Sequence, residues 1–145
     1  MAYIPTEAQW YIAELVEEIT VEDDPRNVVH KNLVLIRAGS PEGAYDKALS
    51  LGREAETSYE NPAGKHVRFT FRGLSELNVI HDELDDGAEL LYEQKVGVPH
   101  HEIEKWVLPK EQLAVFRSIA PGDWPDYSSK ETMDDVERLT GNSTE

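Results

Sequence analysis

The chain has 145 residues and a mass of 16.4 kDa, the size of one ordinary domain that can bury a hydrophobic core. It holds 29 Asp and Glu residues against 14 Lys and Arg residues, a formal charge of −15, so we expect it to bind neither nucleic acid nor anionic membrane surfaces. It has no cysteine, which excludes disulfides, thiolate metal sites and cysteine nucleophiles.

The sequence also lacks the usual membrane and export signals. No apolar segment approaches the roughly 20 residues of a membrane-spanning helix. Residues 1–5 have neither the basic start nor the apolar run of a secretory signal. We therefore expect a cytoplasmic protein.

Two strands are predicted at the start of the chain. Residues 10–21 alternate in hydrophobicity, which is typical of a strand with one buried face, and residues 22–27 form a polar loop. Residues 28–38 form the second strand. Its continuous apolar run, Leu33 to Ile36, indicates burial on both faces at that point.

A helix follows, and its start is the clearest local signal in the chain. Ser40 suits the N-cap, Pro41 suits the first helical position, and Glu42 suits the positive end of the helix dipole. Residues 61–64, Asn-Pro-Ala-Gly, are expected to end the helix. Its apolar stripe recurs at intervals of three and four residues and comprises Ala44, Tyr45, Ala48, Leu51, Ala55 and Tyr59.

The second half of the predicted core is again extended. Residues 65–71 alternate cleanly, Gly73 marks a bulge or bend, and residues 74–80 continue the extended pattern. After an acidic turn over residues 82–87, residues 88–95 are predicted to form a last strand. The order is β-β-α-β-β, an α+β fold with an antiparallel sheet of four to five strands and one main helix on one face.

The tail is expected to be partly helical. Short helices are predicted over residues 101–108 and from Pro109, and Ser128-Ser129-Lys130-Glu131 matches a capping box whose helix ends at Gly141. We therefore divide the chain into an α+β core, residues 1–97, and a C-terminal extension, residues 98–145. The extension is expected to pack on the core or on a partner chain.

Several motifs in the core resemble one family. Strand one opens with Trp10-Tyr11, strand two ends in Val34-Leu35-Ile36, and the helix starts with Ser-Pro-Glu-Gly-Ala-Tyr-Asp-Lys-Ala over residues 40–48. With Asp-Gly-Ala-Glu-Leu at residues 86–90, this pattern resembles the bacterial proteins grouped as domain of unknown function 4288, over about residues 10–95. The resemblance implies a small bacterial α+β domain without an assigned activity, and it carries over no catalytic residue.

Two groups of side chains resemble metal ligands, and neither fits. The acidic turn over residues 82–87 has Leu84 where a calcium-binding EF-hand loop needs a ligand oxygen. His100 and His101 are adjacent, so they point apart and do not reach one ion without a distant third ligand. We therefore expect no metal or other cofactor, and a polar hinge at the two histidines.

Other residues suggest ligand or partner contacts. Arg68 and Arg72 share the polar side of the third strand and either bind an anion or pair with Glu14 and Glu18; the abundance of acids favours pairing. Large aromatic residues suggest anchors in a groove of this chain or of a second copy. The candidate contact residues are Trp10, Arg68, Arg72, His100, His101, Trp106 and Trp124.

We found no nucleophile motif and no phosphate-binding loop. Two functions remain open. The first is a non-catalytic protein-binding module, expected to be a homodimer, whose acidic surface suits a basic partner in the manner of an immunity or antitoxin protein. The alternative is a small-ligand-binding or enzymatic domain, with a site between sheet and tail that uses Arg68 and Arg72 or the two histidines. A third reading is a structural subunit of a larger assembly.

Overall fold

The computed structural model describes residues 9–118 and 122–129. These residues belong to two compact units. Of the described residues, one unit contains 9–91 and 124–129, and the second unit contains 92–118 and 122–123. Within the described ranges, no helix is long and apolar enough to cross a membrane.

The first unit is built on a four-stranded antiparallel sheet. Its strands are β1 (Trp10–Val21), β2 (Val28–Arg37), β3 (Thr57–Glu60) and β4 (His66–Val79), in the order β2-β1-β4-β3. Helix α1 (Pro41–Glu54) connects β2 to β3 and packs on one face of the sheet. The predicted α+β class and the antiparallel sheet are therefore confirmed, whereas the predicted order of elements is confirmed only in part.

Helix α1 begins as predicted but ends earlier. The Ser40 Oγ accepts a hydrogen bond from the Gly43 N–H at 3.1 Å, which satisfies one of the free amides of the first turn. The predicted stripe ran on to Tyr59, but residues 57–60 pair with β4 as strand β3. The continuation of the stripe was thus wrong, because cross-strand pairing overrode a chance match to the helical period.

The inner face of the sheet carries two apolar clusters. Strand β1 contributes alternate residues to both, as its pattern predicted. The first cluster lies under helix α1 and contains the buried Tyr11, Ala13, Leu15, Ile36, Ala44 and Ala48. The second lies further along the sheet and contains the buried Ile19, Val21 and Val67. Ile12, on the other parity of β1, is also buried.

Gly73 lies between two irregularities of a single strand. The pairing of β1 with β4 shifts register on either side of Val16, which faces Gly73. Gly73 has a φ of 131°, a conformation that side chains disfavour. The predicted bulge is confirmed, and strand β4 continues through it to Val79.

Two strand predictions were wrong. Residues 88–95 are not a strand, and Leu90 and Tyr92 are exposed. Strand β3 pairs with β4 over His66–Phe69, and no described strand pairs with the rest of that edge of β4. The apolar run in β2 is not buried on both faces either, since Leu33 and Leu35 are exposed. The reason is that helix α1 packs on the other face of the sheet, so the odd-numbered side chains of this edge strand point away from the helix.

A segment near the C-terminus covers the second cluster. The Tyr59 hydroxyl donates a hydrogen bond to the Tyr127 carbonyl, and the Asn61 Nδ2 donates to the Asp126 carbonyl at 3.1 Å. The Tyr127 ring contacts the Phe69 ring, with centroids 6.3 Å apart. Helix α1 and this segment therefore close opposite ends of the same sheet face.

The second unit contains little regular structure. Helix α2 (His100–Trp106) replaces the helix predicted over residues 101–108, and the helix predicted from Pro109 is only a 3-10 turn, Lys110–Gln112. Neither element has a buried residue. The helix predicted to begin at the capping box lies outside the described residues from Lys130 on.

Candidate interaction surface

Strand β2 forms one edge of the sheet, and its hydrogen bonds define which residues face outward. The Ala38 N–H donates to the Gln9 carbonyl at 2.9 Å, directly beyond the Trp10–Arg37 pair. In an antiparallel pair, hydrogen-bonded and non-hydrogen-bonded residues alternate. The even-numbered residues of β2 therefore bond to β1, and the odd-numbered ones direct their N–H and C=O groups to the edge. We call these residues the β2 row: Val29, Lys31, Leu33, Leu35 and Arg37.

The side chains of the β2 row lie on the face opposite helix α1. Val34 and Ile36 pack in the cluster under the helix, so the odd-numbered side chains point the other way. The three apolar members are well exposed: Val29 by 52%, Leu33 by 54% and Leu35 by 47%. The row thus combines an exposed apolar stripe with a backbone edge that no described strand pairs, and at the end of this edge the Arg37 carbonyl accepts a hydrogen bond from the Lys47 Nζ at 3.0 Å.

The cations of the β2 row are held by neighbouring groups. The Lys31 Nζ lies 3.7 Å from a Glu14 carboxylate oxygen. The Arg37 guanidinium lies 5.6 Å from the centroid of the Trp10 ring, and it also donates to the Gln9 side chain at 3.3 Å. Of the candidate residues, Trp10 is therefore the one that adjoins this edge.

Arg68 and Arg72 lie on the same outer face, further across the sheet. The Arg72 Nη1 is 3.5 Å from a Glu18 carboxylate oxygen, so the predicted pairing is confirmed for this arginine. Arg68 faces Thr20 in the register of β1 and β4. It lines a shallow hollow of about 300 Å³ together with Thr20, Val21, Glu22 and His66.

The two histidines contact carboxylates of their own helix. The His100 Nε2 lies 3.0 Å from a Glu104 oxygen, and the His101 Nε2 lies 3.6 Å from a Glu102 oxygen. Both side chains are exposed. Among the described residues, no group of three or more His, Asp or Glu side chains is placed to hold a metal ion.

The two tryptophans of the tail are both about half exposed. Trp106 lies in the second unit, where the Lys95 Nζ is 4.8 Å from its ring centroid and both residues line a hollow of about 480 Å³ with Glu93. Trp124 belongs to the first unit, next to the buried Pro125. The candidate residues are thus not gathered into one site within either unit.

Hydrogen bonds between backbone N–H groups and nearby carboxylates stabilise the acidic turn. An Asp82 carboxylate oxygen accepts from the Glu89 N–H at 2.9 Å, and an Asp85 oxygen accepts from the Asp86 N–H at 2.7 Å. These are local contacts of the kind that acidic residues make in turns. The segment is therefore a turn, as its composition predicted, and its residues 82–87 are exposed.

Asp24, Tyr59 and Lys65 of the first unit have shifted pKa values. The hydrogen bond from Arg26 lowers the pKa of the Asp24 carboxyl, and the hydrogen bond to Asp23 raises the pKa of the Lys65 ammonium. Burial raises the pKa of the Tyr59 hydroxyl, with a smaller contribution from Asp126. None of these groups lies in the β2 row, so the shifts concern the stability of the fold.

The sequence interpretation missed the exposed residues of β2. A continuous apolar run is typical of a buried strand, and this run was interpreted as one. The signal that was available is Lys31, because a lysine within a strand is typical of an edge. Tyr127 and Asn61 were also missed as anchors, since their contacts join residues more than 60 positions apart.

The comparisons with known proteins agree with the resemblance. The family model for the domain of unknown function DUF4288 matches residues 10–92, which contain the sheet and helix α1. No curated protein and no solved structure was found to match the chain. The match covers more than half of the chain, which therefore belongs to this family.

Proposed function

We propose that this member of the DUF4288 family is a non-catalytic protein-binding module that binds through the edge of β2. The observation that carries the proposal is the exposed apolar stripe of Val29, Leu33 and Leu35 on a strand that lies at the edge of the described sheet. Such an edge is a template for a further strand, which gains main-chain hydrogen bonds and side-chain contacts together.

The energetics support binding at this place. A Leu side chain gains roughly 1.5–3 kcal/mol when it is buried fully, so covering a half-exposed Leu is worth about 1 kcal/mol. Leu33 and Leu35 stand next to each other on one face and would be covered together. Pairing of the free N–H and C=O groups adds orientation and register to this gain.

The charge of the chain points to a second kind of partner on another surface. The formal charge of −15 favours a basic protein, as in the complex of an immunity protein with a nuclease. A basic partner gains nothing at β2, because residues 25–41 contain no Asp or Glu. Basic partners would therefore dock elsewhere on the acidic surface, and raised salt would weaken them.

A crosslinking pull-down tests whether the chain binds another protein through the edge of β2. The tagged chain is incubated with a lysate of its source cell, with Leu33→Lys as the edge variant and Val115→Lys as the control that adds the same charge at an exposed apolar residue of the second unit. We expect crosslinks at Lys31 and loss of the crosslinked partner with Leu33→Lys alone. If the edge variant and the control capture the same proteins in equal amounts, the edge of β2 is not the binding surface.

The alternative is a small-ligand function, and the hollow at Arg68 favours it. Arg68 and His66 lie there side by side as donors for an anion, although Glu22 lines the same hollow. Titration with inorganic phosphate, followed by the NMR signals of His66, tests this function. Binding that Arg68→Ala abolishes would support it. Arg72→Ala is the matched control, because Arg72 already pairs with Glu18.

A further inference from the structure

We infer that the occupant of the β2 edge is a second copy of this chain. In this arrangement the β2 strands of two copies pair antiparallel about a two-fold axis and join two four-stranded sheets into one of eight strands. The inference rests on the proposed function, since it names the partner of the same edge. Three features of β2 carry it: its regularity, its self-complementary register and its charge.

Strand β2 has little of the usual protection of an edge strand, since its charged residues are Lys31 and Arg37 alone. It contains no proline, and its pairing with β1 runs from Arg37 to Val28 without a register shift. Its one lysine, Lys31, lies with its Nζ 3.7 Å from a Glu14 carboxylate oxygen of the same sheet. Proteins generally guard a long, regular, apolar edge with bulges, prolines or charges, because a free one associates. We therefore expect another strand to pair with the edge of β2 in solution.

The row complements itself in one register. Only registers that place odd-numbered residues opposite odd-numbered residues join the outward N–H and C=O groups. With Leu33 opposite Leu33 of the second copy, Lys31 lies opposite Leu35 and Val29 lies opposite Arg37. Every member of the row then faces another member, and the Arg37 carbonyl, which already accepts from the Lys47 Nζ, lies at the end of the row. A register with Leu33 opposite Leu35 also places Lys31 opposite Arg37, and a register with Leu33 opposite Val29 places Lys31 opposite Lys31. Both registers bring like charges together. The register with Leu33 opposite Lys31 leaves Arg37 beyond the row, and the register with Leu35 opposite Leu35 leaves Val29 and Lys31 beyond it.

The charge distribution allows two acidic chains to meet here. Residues 25–41 contain no Asp or Glu, although the whole chain contains 29. The nearest acids on the outer face of β1 are Glu14 and Glu18, and each already lies beside a cation, Lys31 or Arg72. Self-association therefore brings together the least acidic stretch of each copy, and the remaining repulsion acts at long range. Salt screens that repulsion, so self-association is expected to tighten as salt rises.

The central experiment is sedimentation of the full chain at about 50 and 300 mM salt. We expect a dimer that tightens at the higher salt, and a loss of affinity of about a hundredfold in Leu33→Lys. Leu35→Pro is the second variant: it removes an N–H that points to the edge and leaves the bonds to β1 intact. Val115→Lys is the matched control and is expected to keep the dimer.

An amine-reactive crosslinker gives an independent readout. In the register above, the two Lys31 residues stand four strand positions and one strand spacing apart, about 14 Å. We expect the peptide that contains Lys31 to be joined to its own copy, which only an intermolecular link can produce. This readout uses the unaltered chain and does not depend on the folding of a variant.

The possible results separate this inference from the proposed function. A chain that stays monomeric at tens of micromolar, or a dimer that both edge variants retain, overturns the inference. If the chain is monomeric but Leu33→Lys still loses a crosslinked partner, the edge binds another protein and the proposed function stands. If there is neither a dimer nor an edge-dependent partner, both are wrong.

Discussion

The substitution Gly52→Ala tests how closely helix α1 packs on the sheet. Gly52 is buried in the last turns of α1. A Cβ at this position would lie 2.4 Å from the Cε1 and Cζ atoms of the Phe71 ring on β4. Carbon atoms in contact stay about 3.5–4.0 Å apart, so the methyl group overlaps the ring by more than 1 Å. The helix or the ring has to move to admit it.

Two effects of opposite sign decide the outcome. Alanine is favoured over glycine within a helix by roughly 1 kcal/mol. Overpacking of a well-packed contact costs roughly 1–3 kcal/mol, and the direct overlap with an aromatic ring places this case toward the upper end. We expect Gly52→Ala to lower the free energy of unfolding by about 1–2 kcal/mol, equivalent to a decrease in melting temperature of roughly 2–8 °C.

Urea unfolding followed by circular dichroism measures the change. Ser50→Ala, at an exposed position of the same helix, is the control for propensity alone and is expected to leave stability unchanged or slightly raised. Adding Phe71→Leu to Gly52→Ala removes the overlapping ring, so the double variant should lose less than the sum of the single variants. If Gly52→Ala is as stable as the unaltered chain, the close approach of α1 to Phe71 is refuted.

Three further predictions concern the caps and anchors of the first unit, and urea unfolding measures each. Ser40→Ala removes the N-cap acceptor and is expected to lower stability by about 1 kcal/mol. Asn61→Asp replaces the buried donor to the Asp126 carbonyl with an acceptor, which should cost about 2 kcal/mol. Tyr59→Phe removes the hydrogen bond to Tyr127 and should cost about 1 kcal/mol at neutral pH. Because burial raises the pKa of Tyr59, this hydroxyl stabilises the fold below pH 10, and its contribution disappears as the pH rises through the raised value.

Each of these predictions has a control. Ser40→Asp keeps a capping oxygen and should retain most of the stability that Ser40→Ala loses. Asn32→Asp makes the same chemical change at an exposed position of β2 and should have little effect. The difference between the unaltered chain and Tyr59→Phe should shrink between pH 8 and pH 11. A difference that stays constant over this range would contradict the role assigned to the hydroxyl.

Much of the sheet and the start of the helix could be predicted from local patterns. The alternation over residues 10–21 reflects one buried face of β1, and the cap at Ser40 is a contact between residues three positions apart. Gly73 was interpreted as a bulge or bend because a glycine within a strand often marks one, and the register shifts beside it confirm the bulge. These features depend on neighbours within a few residues, which a sequence displays directly.

The end of the helix and the last strand show where local patterns fail. The stripe through Ala55 and Tyr59 matched the helical period, yet Tyr59 lies on β3 and packs against Phe69. Residues 88–95 had the composition of a strand, but they pair with no strand of the sheet, although β3 pairs with β4 over His66–Phe69 alone. For Tyr59 the outcome depended on pairing with β4, a contact that has no signature among its sequence neighbours.

The sequence by itself determined the class of fold, the faces of β1, the N-terminus of α1 and an acidic surface. Only the tertiary structure decided that β2 is an edge strand and that the segment at Tyr127 closes the second cluster. The physical reason is that exposure depends on strand order. An apolar run such as Leu33 to Ile36 has the same sequence in the middle of a sheet as at its edge, and only the neighbours brought there by the fold decide which of its faces meets water.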